Sequence, residues 1–146
     1  MKKIAFTLIM LLPILLFGQQ DTTKQTFKIG LPTAAIGGKS KGFISKRALE
    51  RAGKLTVEGL ENAKINGFTL TIHYKWCNNC DTAKSPEPMV AKDEALTDKM
   101  IRFIKGASLP DRSIVRTLII FSNIECTTPD GATHKLPDIS FILSGE

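Results

Sequence analysis

The stretch from Phe68 to Trp76 constrains this chain more than any other. It reads F-T-L-T-I-H-Y-K-W, with Phe68, Leu70, Ile72, Tyr74 and Trp76 at even positions and Thr69, Thr71, His73 and Lys75 between them. Successive side chains of an extended strand point to opposite faces, so the alternation predicts a half-buried strand whose large side chains centre a hydrophobic core. The stretch runs directly into Cys77-Asn78-Asn79-Cys80. Two readings follow: a redox cysteine pair on a thioredoxin-like scaffold, or the central strand of a sandwich with a cysteine-clipped loop at its end.

The rest of the chain bears on that choice. At 146 residues, with 42% hydrophobic and 23% charged residues, it has the size and composition of one domain able to bury a core, which excludes disorder throughout. At the N-terminus Lys2 and Lys3 precede an apolar stretch from Ile4 to Phe17, and Gly18 offers a small residue before Gln19-Gln20-Asp21. This pattern reads as a secretory signal peptide over residues 1–18. Its apolar stretch of 14 residues, broken by Pro13, is short of the roughly 20 that a membrane-spanning helix needs. Cleavage near Gly18 is expected in place of an uncleaved anchor, with no stable membrane insertion afterwards and a destination in the periplasm or outside the cell.

An exported protein meets an oxidising compartment in which disulfides persist. Cys77, Cys80 and Cys126 are the three cysteines, so one is left over if a pair forms. Cys77 and Cys80 form the disulfide candidate, a clip on the loop after the central strand. Two alternatives use the same residues: an exported thiol-disulfide oxidoreductase, and a metal-binding module in which Cys77, Cys80, Cys126 and His73 or His134 hold zinc. The first needs its leading cysteine at a helix N-terminus, whereas Pro86 and Pro88 leave room for little more than a turn after Cys80. The second has only one Cys-x-x-Cys arm, where structural zinc sites use two. His73 and His134 have no serine or aspartate at a recognisable nucleophile elbow, so no catalytic residue, enzyme activity or cofactor is expected.

Removing the leader takes away two lysines and no acid, leaving 18 basic against 14 acidic residues, a net charge of +4. Basic residues thicken from Lys39 to Lys54, through Lys41, Lys46, Arg47 and Arg51, and read as a solvated face. Apart from Phe43, no aromatic side chain interleaves with them to stack bases, so no nucleic-acid partner is expected.

Residues 19–26 read as a flexible polar tail and residues 27–146 as the folded domain. Phe27 to Ile29 is a candidate first strand, Ala35 to Gly42 a glycine-rich loop, and Ser45 to Ala52 a short helical turn ending at Gly53. Lys54 to Val57 and Ala63 to Ile65 are weak strand candidates, and Asn66-Gly67 is a favoured hairpin dipeptide opening onto Phe68. Thr97 to Lys105 is the best helix, capped by Thr97 and ended by Gly106, with Leu96, Met100, Phe103 and Ile104 on one stripe. Ile114 to Cys126 reads as a long strand with Leu118, Ile120 and Ile124 on the face of Cys126. Pro129-Asp130-Gly131 then turns the chain into a return strand from His134 to Leu143, where Ile139, Phe141 and Leu143 line one face and Pro137 marks an edge or bulge.

The segment from Ile124 through Pro129-Asp130-Gly131, followed by Lys135-Leu136-Pro137-Asp138-Ile139-Ser140-Phe141, resembles the closing hairpin of the C-terminal domain of the GldM/PorM family. Those proteins are periplasmic components of gliding motility and type IX secretion. Gly42-Phe43-Ile44-Ser45-Lys46, the Phe68-to-Trp76 strand and the helix opened by Leu96-Thr97 are similar to that domain in the same order, over roughly residues 30–143. The resemblance implies an all-β chain with one short helix, an immunoglobulin-like β-sandwich, acting as a protein-interaction domain without catalytic residues. Its partner would be another envelope protein. The resemblance does not extend to the membrane anchor and further periplasmic domains of that family, and the Cys77–Cys80 loop has no match in its pattern.

Overall fold

The computed structural model describes residues 30–77, 83–84, 87–110 and 114–145. The expected leader, the polar tail, the Phe27–Ile29 strand and Cys80 lie outside them.

Strands dominate, in the order β1 (Thr33–Ile36), β2 (Lys41–Ser45), β3 (Leu55–Glu58), β4 (Lys64–Lys75), β5 (Ala83–Lys84), β6 (Met89–Ala91), β7 (Arg116–Thr127), β8 (Thr133–Leu136) and β9 (Ile139–Ser144). Helix α1 (Lys46–Ala52) follows β2, and α2 (Asp98–Gly106) precedes β7. Two helices therefore stand where one was expected. The first has the capping that its sequence prescribes: the Ser45 hydroxyl accepts from the Ala48 N–H at 3.2 Å, and Gly53 closes the helix at φ 65°, donating to the Leu49 carbonyl at 3.0 Å. In α2 the Thr97 hydroxyl accepts from the Met100 N–H at 3.2 Å. Gly106 remains helical, and Ala107 takes the C-cap in an extended conformation.

Seven strands form one sheet in the order β2-β9-β7-β4-β5, with β8 also pairing β7 and β6 also pairing β4. Every pairing in it is antiparallel except β2 with β9. The β1 and β3 strands make a separate two-stranded ribbon. The tight turn at Gly37-Gly38 is shorter than the loop expected over residues 35–42, because Ala35 and Ile36 belong to β1 and Lys41 and Gly42 to β2.

One apolar cluster holds these parts together. Phe68, Leu70 and Ile72 of β4, Ile119 and Phe121 of β7, and Ile139 and Phe141 of β9 meet Ala34 and Ile36 of the ribbon, Leu49 of α1, and Met100 and Ile104 of α2. Phe121 stands at its centre, in edge-to-face contact with Phe68 (5.7 Å between centroids) and Phe141 (6.3 Å). Both helices and the ribbon thus pack on the same face of the sheet.

Two irregularities decide which side chains reach that cluster. Asn66-Gly67 is not a hairpin turn: β4 runs unbroken from Lys64 to Lys75. Ile65 pairs with Cys126 and Gly67 with Glu125, so Asn66 is an extra residue in β4; Thr69 then pairs with Ser122, so β7 carries the extra residue across that interval. The two bulges offset each other, and the strands leave the region in the register in which they entered. Asn123, at φ 49°, marks the second bulge.

The β7 bulge corrects the sequence reading at Leu118 and Ile120. A period of two carried through Asn123 puts Leu118 and Ile120 with Ile124 and Cys126. The inserted residue flips the phase, so Thr117, Ile119 and Phe121 are buried with Ile124 and Cys126, while Leu118 and Ile120 lie half-buried on the opposite face. Trp76 also departs from expectation. It lies just beyond β4, 48% exposed, and tilts against the half-buried Tyr74 ring at 6.5 Å instead of entering the core.

Candidate interaction surface

The sheet has a second face, and its composition differs from that of an ordinary solvated one. Register places Phe43 of β2 beside Ile142 of β9, Ile142 beside Leu118 of β7, and Leu118 beside His73 of β4. One step along, Lys41 lies beside Ser140, Ser140 beside Ile120, and Ile120 beside Thr71. One step the other way, Arg116 pairs with Lys75. The result is an apolar row crossing three strands, with Ile120 adjoining it and basic side chains at its corners. Leu118, Ile120 and Ile142 are half-buried within the pleat, whereas Phe43 stands 65% exposed.

Charge on this face is one-sided. Across those rows of β2, β9, β7 and β4 the charged residues are Lys41, Arg116 and Lys75, with His73 between them, and none is acidic. Glu125 lies beyond the bulge, opposite Lys135 of β8, and Asp138 precedes β9. The basic thickening from Lys39 to Lys54 is partly structural. The Lys46 ammonium donates to the Lys105 carbonyl at 2.8 Å, on the last turn of α2, and Arg47 is also engaged.

An open groove of about 370 Å³ lies between β3 and the start of β4, lined by Leu55, Val57, Ala63 and Ile65 with Lys54, Lys64 and Glu94 among its charged residues. Among the described residues no three His, Cys, Asp or Glu side chains gather to hold a metal ion.

The cysteines separate. Cys77 is exposed at the exit of β4 and disulfide-bonded; Cys126 is a free, fully buried thiol, raised in pKa by burial. Cys80 is the remaining cysteine of the sequence and lies outside the described residues. His73 is half-buried on the outer sheet face, and His134 of β8 sits in register with Cys126 on the inner one.

No family model and no curated protein matches this chain.

The outer-face residues had a signal in the sequence. Leu118-Ile119-Ile120-Phe121 and Phe141-Ile142-Leu143 are apolar on both phases, the mark of strands covered on both sides. A rule of one buried face per strand does not register it.

Proposed function

We propose that this chain is a non-enzymatic, exported protein-interaction module, resembling the C-terminal domain of the GldM/PorM family and linked to gliding motility or type IX secretion. In this reading the fold is a reduced immunoglobulin-like sandwich, with the seven-stranded sheet as one layer and the β1–β3 ribbon as what remains of the other. The observation that supports it most is the order of the parts: the edge strand over residues 41–45, the long β4, the Thr97-capped helix, and the β7–β8 hairpin turning at Pro129-Asp130-Gly131. That is the order in which the sequence resembles the family.

Affinity capture from envelope extracts tests the reading. An envelope protein retained through stringent washing is the expected result; recovery of no protein, or of cytosolic proteins alone, would contradict it. The disulfide at exposed Cys77 supports a second reading as a thiol-disulfide oxidoreductase. That reading requires insulin reduction that disappears in Cys77→Ser, and an inactive parent protein eliminates it.

A further inference from the structure

We infer that the outer face of the sheet, centred on Phe43, Ile142 and Leu118, is a docking surface for a polypeptide segment that presents apolar side chains flanked by carboxylates. The inference rests on the interaction-module reading and names the surface and the chemistry of its partner.

Two observations carry it. The first is the composition of the strands. A sheet with one solvated face alternates apolar and polar residues, and β4 does so. The β7 and β9 strands do not: Leu118 and Ile120 of β7 and Ile142 of β9 face away from the core that Ile119, Phe121, Phe141 and Leu143 fill. The ribbon and both helices contribute to that core, and none of the described elements covers the outer row. The second is charge. Lys41, Arg116 and Lys75 border the row with no acidic side chain among them, so complementarity demands negative charge around an apolar centre.

These features select one occupant. A second copy would set the same basic border against itself, which disfavours self-association. A bilayer surface takes up apolar side chains that protrude; within this row only Phe43 stands clear, the three aliphatic side chains lie half-buried in the pleat, and Val90, the other exposed apolar side chain of the face, stands apart on β6 beside Thr69. Addition of a strand at the β2 edge meets Gly42 at φ 102°, which breaks the regular backbone that a ladder needs. A partner segment laid across the face meets none of these obstacles.

Selection of displayed random peptides on the purified protein tests the inference without a known partner. Enriched peptides should carry Leu, Ile or Phe flanked by Asp or Glu. They should bind at least about tenfold more weakly to Phe43→Ser, to Leu118→Thr and to the double variant Lys41→Glu/Arg116→Glu. Thermal unfolding checks each variant, and Phe43→Ser stands alone if Leu118→Thr fails to fold. Enriched peptides that bind all folded variants as tightly as the parent overturn this surface while leaving the interaction module intact. Phe43-dependent sedimentation with phosphatidylglycerol vesicles, or a Phe43-dependent dimer in sedimentation velocity, overturns the peptide occupant in favour of lipid or a second copy. No enriched peptide, together with no protein captured from the envelope, removes both proposals.

Discussion

Gly67 shows how one position can constrain three strands. A Cβ there would lie 2.7 Å from the Ala91 carbonyl oxygen of β6, closer than carbon and oxygen can approach, and backbone has no rotamer by which to yield. Gly67→Ala should therefore displace β6 and cost about 1–3 kcal/mol in urea unfolding. Gly106→Ala is the natural comparison: Gly106 is helical and has nothing within 4 Å of its Cβ position, so a gain of up to about 1 kcal/mol is expected. Asn66-Gly67 drew attention in the sequence as a turn dipeptide. The glycine is indeed required, but by the close approach of a neighbouring strand, which no local pattern reveals.

Asp130 gives a residue-scale prediction in pH. The Thr128 hydroxyl and the Ala132 N–H donate to its carboxylate and hold its pKa below the ordinary range. A carboxyl whose folded pKa is depressed contributes stability above its unfolded pKa and loses it as pH falls through the folded value. Asp130→Asn should thus be less stable than the parent at neutral pH, with the difference shrinking as acid protonates Asp130. Urea midpoints across the acid range measure this directly, and a difference independent of pH would contradict the hydrogen-bonded carboxylate.

At the scale of elements, the paired bulges in β4 and β7 govern which residues form the core. The period of two in Phe68 to Ile72 was legible because it lies wholly on one side of the Asn66 bulge. In β7 the same rule misassigned Leu118 and Ile120, since the phase changes at Asn123 and both phases are apolar there. Helix α2 was readable from its cap and stripe, whereas its exit at Ala107 was not, because Gly106 permits a left-handed end without requiring one. The bulge itself can be tested. Asn tolerates the left-handed conformation that β-branched residues resist, so Asn123→Val should cost about 1–3 kcal/mol and Asn123→Gly should be close to neutral. Equal stability of the two variants would mean that Asn123 does not hold the phase change.

For the whole molecule, the layer arrangement matters most. The ribbon and helices close one face of the sheet, and the described elements leave the other with an apolar row and a basic border. The sequence carried the ingredients of this asymmetry, but strand order makes it a surface: β2 and β9 are distant in the chain and pair in parallel, which brings Phe43 beside Ile142. Cys77, the described half of the candidate disulfide, sits at the end of β4, while the candidate interaction surface spreads across three strands that no motif links.

The most direct test is site-specific photocrosslinking in the native host, with a benzophenone side chain at position 43 and, as a control, at exposed Glu61 in the β3–β4 loop. A partner docked on the outer face of the sheet would give one dominant adduct with an envelope protein from position 43 and none from position 61. No adduct from position 43, or the same adducts from both positions, would contradict it.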